Sequence, residues 1–499
     1  MDKNTEYDYC IFIFRRDLRI EDNRGLIKMN NLCKEIIPIF IFDTNQVDIN
    51  SNTKNYLSFP ALRFLCESIE DLSNSIKKEK SKLNIFYGKP KNVIEYIIKY
   101  IKTDSMFKNK NICLGFNEDY TKYSLERDKI IEDICKKNDI DIIKNSDDYT
   151  LCDMELLKKN ENEAYKQYGA FRKNMLDNKK KFNKVDNKKI KFIKKGVDLK
   201  KQIQIENLCE FWEDHINKEY KPIEVGKRKI GLKILDSLKK FKDYGEKRDT
   251  LSYETTHISA YLNFGLISER EFYYGLKDKL GEDTQLINQV IWRDYYYCLL
   301  RYLKGANSYD NHIDSRYDKI RITREIPSKT SQVWKEWNSM MQSKTGFLIV
   351  DAALREVILT GYMHNRCRMI VGVFSVKYLL INPLCRYIGL NDWFSRHLVD
   401  CNTSQNKLNC QWVTELDFPG KKFAPSSSPT AGRPMSISND MIKKWDPECV
   451  YIKKWLPHLK DIDNKILYKW DTKYNDTIHP GPIFDAKERY KKWIKLCEK

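Results

Sequence analysis

The chain has 499 residues, which is enough for two or three domains, each with its own core. Its formal net charge of +19 and isoelectric point of about 9.1 favour an anionic partner such as nucleic acid. The polar N-terminus MDKNTEYDY and the lack of any apolar run of about 18 residues argue against a signal peptide and a membrane span, so we expect an intracellular protein of the cytoplasm or nucleus, with no targeting signal.

Neither the basic charge nor the cysteines locate a functional site. Residues 172–201 contain 13 Lys or Arg against 3 Asp, so this one segment contributes +10 of the +19. Such a run is usually solvated or disordered, so the charge is weak support for a DNA groove. The 14 Cys are scattered without a CxxC pair, which predicts free thiols in a reducing compartment and neither a zinc nor an iron–sulfur site.

The first 146 residues alternate apolar runs with amphipathic stretches. The apolar runs predict buried strands at residues 9–14, 35–42, 83–87, 112–116 and 140–143. The amphipathic stretches predict helices at residues 61–76, 92–101 and 124–135. This alternation is typical of a parallel, Rossmann-like α/β sheet, which binds ligands at the carboxyl ends of its strands. No GxGxxG or Walker loop accompanies it.

The rest of the chain divides into a linker and a helical region. Residues 147–225 are polar, Lys-rich and weakly periodic, which predicts a long interdomain linker that is partly helical and partly mobile. From residue 226 to residue 499 the apolar positions recur at helical spacing, which predicts an all-α domain. We therefore expect domain 1–146, linker 147–225 and domain 226–499.

Residues 344–412 combine polar side chains with an apolar helical pattern. Residues 347–360 predict a helix that ends at Gly361, with Asp351 and Arg355 as a pair one turn apart. A second predicted helix, at residues 364–380, carries three side chains on one face: Asn365, Arg368 and Met369. Polar groups on a buried helix need partners, and Asp400 and Asn406 are candidates. A satisfied polar cluster in a helical core explains this pattern as well as a ligand site does.

Several motifs in combination resemble the DNA photolyase/cryptochrome family. They are FRRDLRIEDN at residues 14–23, NEDYTKYSLERD at 117–128, SAYLNFG at 259–265, YMHNRCRM at 362–369 and KKWDPECVYIKKWLPHL at 443–459. Each motif alone has an ordinary interpretation, such as a charged loop capped by Asp22 in the first. The resemblance implies an N-terminal α/β antenna domain and a C-terminal all-helical domain that binds FAD.

The resemblance also implies a set of FAD-binding residues. The FAD diphosphate is expected at Tyr244, Thr255, Thr256 and Ser259, where hydroxyls and free N–H groups at a helix start suit an anion. An ordinary Ser/Thr helix cap would give the same pattern.

Further positions are expected beside the flavin ring. Arg368 is expected to pair with Asp400, and Asn406 to face flavin N5. Asn402 is part of this cofactor site and replaces an Asp that is usual in the family.

A DNA-lesion pocket is expected around the stretch NQVIWRDYYY. Its implied residues are Gln289, Trp292, Arg293, Asn365, Met369 and Trp412, with Trp292 and Trp412 as an aromatic wall for flipped bases. A core aromatic stripe is the simpler interpretation of this stretch. Enzymes that repair cyclobutane dimers usually carry Glu at the position of Gln289, and (6-4) enzymes and animal cryptochromes carry Gln. The stretch YMHNRCRM favours dimer repair, because (6-4) enzymes have a His-His pair there.

Other positions depart from the family. Tyr387 and Cys410 stand where the electron relay usually has Trp, so we expect photoreduction to be impaired or rerouted, and Trp334 and Trp337 lie near in sequence. Gly169 and Ala170 replace the Thr-Pro of the family's linker motif.

The leading hypothesis is a deoxyribodipyrimidine photo-lyase that repairs cyclobutane pyrimidine dimers in UV-damaged DNA, as a monomer without membrane contact. In the family, excited reduced FAD donates an electron to the flipped dimer, the ring splits and the electron returns. Catalytic roles fall on Asn365, Arg368, Asp400 and Asn406. A second antenna chromophore is left open between folate, deazaflavin and none. The alternatives are a cryptochrome-like blue-light receptor without repair, a (6-4) photolyase, and a degenerate member that binds a partner without redox activity.

Overall fold

A computed structural model describes most of the chain. The described residues are 6–47, 57–160, 163–194, 197–200, 202–203, 219–303, 322–323, 325–382, 385, 389–414, 437 and 439–497. They form two compact units. The first unit is Met1–Ile216, Glu224–Lys242 and Thr256–Leu303, and the second is Asn217–Ile223, Asp243–Thr255 and Lys304–Lys499. The domain boundaries after residues 146 and 225 remain predictions, since these units are defined by packing alone.

The first unit is built on a parallel five-stranded sheet. The strands are β1 Tyr7–Phe14, β2 Cys33–Asp43, β3 Asn84–Gly88, β4 Ile112–Asn117 and β5 Asp141–Asn145. Their order is β3-β2-β1-β4-β5, so β1 is central and the chain reverses direction across the sheet between β3 and β4. The apolar runs predicted all five strands, because a parallel sheet covered on both faces buries most side chains of its inner strands. The carboxyl ends of β1 and β4 flank the topological switch point, where such sheets bind ligands.

Helices complete the first unit. They are Arg24–Leu32, Thr44–Val47, Phe59–Lys78, Pro90–Thr103, Lys122–Lys137, Tyr168–Asp177, Arg228–Asp236, Ser259–Asn263, Glu269–Leu280 and Gln285–Tyr302. Short 3₁₀ turns lie at Ser105–Phe107, Met154–Leu156, Lys179–Lys181 and Leu238–Phe241. Side-chain caps explain several helix starts: Ser58 accepts from Ala61 N, and Ser268 and Glu271 form a capping box.

The loop after β1 is fixed by buried ion pairs. The Arg270 Nε atom lies 2.9 Å from Asp22 Oδ2, and the Arg19 Nη2 atom lies 2.8 Å from Asp148 Oδ1, with all four side chains at most 1% exposed. The expectation that Asp22 caps this loop is wrong. The Asn23 side chain accepts from Leu26 N and caps the helix Arg24–Leu32, because the Asp22 carboxylate is taken by Arg270.

The second unit is helical. Its helices are Tyr244–Lys247, Gln332–Met341, Leu348–Thr360, Asn365–Val373, Leu390–His397, Thr403–Thr414, Asn439–Trp445, Val450–Trp455, Asn464–Leu467 and Ala486–Cys497, with a π-helix at Phe374–Tyr378 and a 3₁₀ turn at Pro457–Leu459. The helix Leu348–Thr360 ends at Gly361 as predicted, and Gly361 has a left-handed φ of 75°.

The prediction that Asp351 pairs with Arg355 is wrong. The Asp351 carboxylate accepts from Thr345 N and Gly346 N and lies 3.0 Å from His479 Nε2. A carboxylate in the first turn of a helix can accept from backbone amides of the preceding loop. Here these amides and His479 occupy the Asp351 carboxylate.

Candidate functional site

The second predicted helix of the 344–412 segment is the α-helix Asn365–Val373, followed by the π-helix Phe374–Tyr378. The Nδ1 atom of His364 accepts from Arg366 N and so caps the helix. Cys367 and Ile370 are buried in the core, whereas Asn365 is exposed and Arg368 and Met369 are half-buried. The three predicted side chains therefore lie away from the core, where a ligand can reach them.

Arg368 is fixed by Asp400 as predicted. The Arg368 Nη2 atom lies 3.0 Å from Asp400 Oδ1 and 2.9 Å from Oδ2, and Nε donates to the Met363 carbonyl at 3.0 Å. Burial would lower the pKa of Arg368, but the charge and hydrogen bonds of Asp400 raise it instead. The pair therefore supplies a permanently charged guanidinium, whose Nη1 has no hydrogen bond to the residues that the structure describes.

Asn406 is held in one orientation by a residue that the sequence did not predict. Its Nδ2 atom donates to the side-chain oxygen of Asn391 at 2.9 Å and to the Asn391 carbonyl at 3.3 Å. Asn391 is 2% exposed, so its own position is fixed by packing. Because Nδ2 is used, the Asn406 Oδ1 atom remains as an acceptor, without a hydrogen bond to any described residue.

Asn402 begins the helix Thr403–Thr414. Its Oδ1 atom accepts from Gln405 N at 3.2 Å, which is a helix N-cap. Asn and Asp cap helices almost equally well, so the replacement keeps the local structure and removes a negative charge.

The residues predicted for the FAD diphosphate are divided between the two units. Tyr244 and Thr255 belong to the second unit, and Thr256 and Ser259 to the first. The Thr255 hydroxyl lies 2.6 Å from the hydroxyl of Tyr362, and burial raises the pKa of Tyr244. Ser259 is the first residue of the helix Ser259–Asn263, but the cap position is Ile258 and no described side chain caps this helix, so the alternative of an ordinary Ser cap is wrong at Ser259. Their role in cofactor binding remains a prediction.

Arg366 is a further residue of this region that sequence reasoning missed. Its Nε donates to Asp249 Oδ1 at 2.6 Å, and its Nη1 contacts the sulfur of Met369 at 3.0 Å. Arg366 lies within the motif YMHNRCRM, and this position could have pointed to it. Arg366 ties the loop that follows Tyr244 to the helix Asn365–Val373.

In the first unit, Gln289 and Trp292 lie one turn apart on the helix Gln285–Tyr302. The half-buried Gln289 amide makes no hydrogen bond to the described part of the chain. The Trp292 ring stacks face to face on Tyr168, with ring centres 3.6 Å apart and planes 6° apart. An amide without a hydrogen-bond partner can hydrogen-bond to the edge of a base, and an aromatic ring can stack on the base.

Arg293 and Trp412 have different surroundings. The Arg293 guanidinium lies 2.5 Å from Glu269 and donates to the Leu262 carbonyl at 3.1 Å, with 12% of its side chain exposed. These partners hold the guanidinium within the first unit, and its role in lesion binding remains a prediction. Trp412 is half-buried on the helix Thr403–Thr414.

The relay position Cys410 is a buried thiol, and burial raises its pKa well above the ordinary value. Tyr387 lies outside the described residues. Trp334 and Trp337 form a tilted pair with ring centres 5.0 Å apart.

A second charged cluster lies at the switch point of the sheet. Arg15 and Arg16 follow β1, and their guanidiniums lie 2.8 Å from Asp128 and 2.7 Å from Asp119. Arg16 Nη1 and Arg127 Nη2 are buried without a hydrogen-bond partner among described residues. Buried cationic donors of this kind suit a polar or anionic ligand.

None of the helices described is long and apolar enough to cross a membrane. Among the described residues, no group of three or more His, Cys, Asp or Glu side chains is arranged to hold a metal ion.

Two family models match the chain. The model described as DNA photolyase matches residues 10–189, and the model described as the FAD binding domain of DNA photolyase matches residues 286–499. A parallel α/β unit with a helical unit that carries the Arg368–Asp400 pair is thus the architecture of a flavoprotein. The chain belongs to the DNA photolyase/cryptochrome family, and FAD is its cofactor.

Two distant relatives match more than nine-tenths of the chain. The deoxyribodipyrimidine photo-lyase of Buchnera aphidicola subsp. Acyrthosiphon pisum is 27% identical, over 97% of this chain and 95% of the relative. The (6-4)DNA photolyase of Arabidopsis thaliana is 24% identical, over 91% of this chain and 80% of the relative.

Solved structures show the same fold. The archaeal photolyase of Sulfolobus tokodaii, solved with two FAD molecules, is 27% identical with a TM-score of 0.78, over 98% of this chain and 99% of that one. The cryptochrome of Synechocystis sp. PCC6803 has a TM-score of 0.76 at 20% identity, over 98% of this chain and 99% of that one, which bears on the fold alone.

Proposed function

We propose that the protein is a light-dependent DNA repair enzyme that splits cyclobutane pyrimidine dimers. The observation that carries the proposal is the outward face of the helix Asn365–Val373, on which Arg368 is fixed by Asp400. The relative from Buchnera that matches 97% of this chain is named deoxyribodipyrimidine photo-lyase, and its name supports the same reaction.

The donors and acceptors of the second unit fit a flavin. Arg368 would present its Nη1 to a polar ring atom, and Asn406 would offer Oδ1 to a ring N–H. FAD would supply the absorption of light and the electron that opens the cyclobutane ring. The fixed charge of the guanidinium then stabilises negative charge on the cofactor without reorganisation of the protein.

Lesion contacts are proposed for each unit taken by itself. In the second unit Asn365, Met369 and Trp412 would bind the dimer, with the Asn365 amide on its polar edge. In the first unit Gln289 and Trp292 would read and stack against a base, and stacking contributes about 1–3 kcal/mol per base. A dimer is already poorly stacked in DNA, so its extrusion costs less than that of an intact pair.

The test uses the purified, flavin-loaded chain with a thymine-dimer oligonucleotide, a reductant and blue light. We expect loss of dimers in the light and none in the dark. The variant Arg368→Ala, which removes the fixed cation, should repair at least tenfold more slowly. The variant Lys460→Ala, which changes a cation with 70% of its side chain exposed, is the matched control and should repair normally. Reduced, FAD-loaded protein that leaves dimers intact in light would rule the proposal out.

A second candidate is repair of (6-4) photoproducts. Gln289 favours it, since its neutral amide replaces the usual carboxylate of dimer enzymes, and the Arabidopsis relative is named (6-4)DNA photolyase. The same assay with a (6-4) oligonucleotide decides between the two lesions. If the protein repairs neither lesion although its flavin responds to light, it would be a cryptochrome-like receptor.

We further propose a second chromophore at the switch point of the first unit. The buried, unpartnered N–H groups of Arg16 and Arg127 support it, and the Sulfolobus photolyase was solved with two FAD molecules. Thr121 does not supply the acidic residue that folate-binding members have; its side chain caps the helix Lys122–Lys137. Extraction of the purified protein and chromatography of its chromophores would show a second species, and a single FAD per chain would contradict this proposal.

A further inference from the structure

The segment in which Gly169 and Ala170 replace the family's Thr-Pro holds the aromatic partner of Trp292. Tyr168 begins the helix Tyr168–Asp177, immediately before the two replacements. Its ring covers one face of the Trp292 indole, with the ring centres 3.6 Å apart and an angle of 6° between the planes. A separation this small between nearly parallel rings is close contact over much of the ring area.

Tyr168 is itself held by the helix that carries Trp292. Its hydroxyl donates to the Asn288 carbonyl at 3.1 Å, and Arg172 Nε donates to the Asn288 side chain at 2.6 Å. Tyr295 packs edge-on against both rings, at 5.7 Å from Tyr168 and 5.5 Å from Trp292. The indole plane is therefore fixed from one side by a stack and from another by an edge contact.

We propose that Tyr168 is a positioning residue for lesion recognition, which sets the plane of the Trp292 ring for contact with an extruded base. This inference rests on the proposed function of Trp292. A base stacks only on a ring whose plane is parallel to its own, so rotation of the indole about its side-chain bonds would weaken that contact. The exposed backbone of Gly169 and Ala170 makes no such contact, and a Cβ at Gly169 would meet nothing within 4 Å.

The test compares Tyr168→Leu, which removes the stack, with Tyr168→Phe, which keeps the ring and loses the hydroxyl. The measured quantity is the ratio of affinities for dimer-containing and undamaged DNA of the same sequence. An aromatic pair contributes about 0.5–1.5 kcal/mol, so Tyr168→Leu should lower this ratio roughly 2- to 12-fold. Tyr168→Phe should retain it.

Tyr165→Leu is the matched control. Tyr165 lies in the same segment and contacts Phe171 with ring centres 5.9 Å apart, but it has no ring contact with Trp292 among the described residues. The variant Trp292→Ala should lower the ratio more than Tyr168→Leu does. The double variant of Tyr168→Leu and Trp292→Ala should equal Trp292→Ala alone, because Tyr168 acts through Trp292.

The outcomes separate the inference from the function on which it rests. If Trp292→Ala abolishes the lesion preference and Tyr168→Leu leaves it intact, the inference is overturned and the function of Trp292 stands. The same follows if the losses of the two variants add fully in the double variant. A wild-type protein without lesion preference, or one that Trp292→Ala does not affect, overturns the function of Trp292 and the inference with it. Near-ultraviolet circular dichroism gives a separate readout, since Tyr168→Leu and Trp292→Ala should remove the same band.

Discussion

Removal of the carboxylate of Asp400 tests how much the Arg368–Asp400 pair stabilises the second unit. In the folded chain this carboxylate accepts two hydrogen bonds from Arg368, and the two side chains are 5% and 16% exposed. An unpaired buried charge costs about 3–5 kcal/mol, and the partial exposure of Arg368 favours the lower end, about 3 kcal/mol, for Asp400→Ala. Asp400→Asn keeps one acceptor oxygen and loses the charge, so we expect about 1–2 kcal/mol.

Thermal unfolding followed by tryptophan fluorescence measures these losses. For a unit of about 200 residues, 1 kcal/mol shifts the melting temperature by about 2–4 °C, so Asp400→Ala should lower it by about 6–12 °C. The control Asp461→Asn changes a carboxylate with 86% of its side chain exposed, and should stay within about 2 °C. Equal melting temperatures of Asp400→Ala and this control would refute the reasoning.

Three further predictions concern the same unit. Burial lowers the pKa of His397 from 6.5 to about 4, so protonation favours the unfolded chain. The free energy of unfolding should be highest above pH 6.5 and fall by about 3 kcal/mol toward pH 4. The variant His397→Phe should flatten this pH dependence in urea titrations. Asn391→Ala should slow dimer splitting severalfold at unchanged flavin content, and Asn391→Asp, which keeps an acceptor for Asn406, should restore it; equal rates would exclude a role for Asn391. Without an external donor the flavin should photoreduce slowly, and Trp at positions 387 and 410 should speed it; fast reduction in the native chain would contradict this.

The sheet could be predicted because its signal is local. Each strand is a short apolar run, and a sheet covered on both faces needs nothing else to be recognised. The helix Arg24–Leu32 was missed, since its sequence RGLIKMNNL is only nine residues long. Its cap, Asn23, lay inside a motif that was interpreted as a charged loop.

Contacts between distant segments could not be predicted. Asp22 and Arg270 are 248 positions apart, and nothing in either local pattern selects the other. The same holds for Tyr168 and Trp292, which meet only because two helices pack together. The pair Arg368–Asp400 was predicted from the family resemblance, whereas Asn391 was not, because its helix reads as ordinary amphipathic sequence.

The departures from the family pattern affect charge or redox chemistry more than local structure. Asn402 still caps its helix, and Gln289 keeps a polar amide where a carboxylate is usual. Cys410 remains a buried core residue, and it places a thiol where the family usually has an indole. The Arg368–Asp400 pair and the orientation of Asn406 are independent of these substitutions. We therefore expect splitting of a dimer by flavin that is already reduced to depend on other residues than photoreduction of oxidised flavin does. An assay with added reductant measures the first reaction without the second.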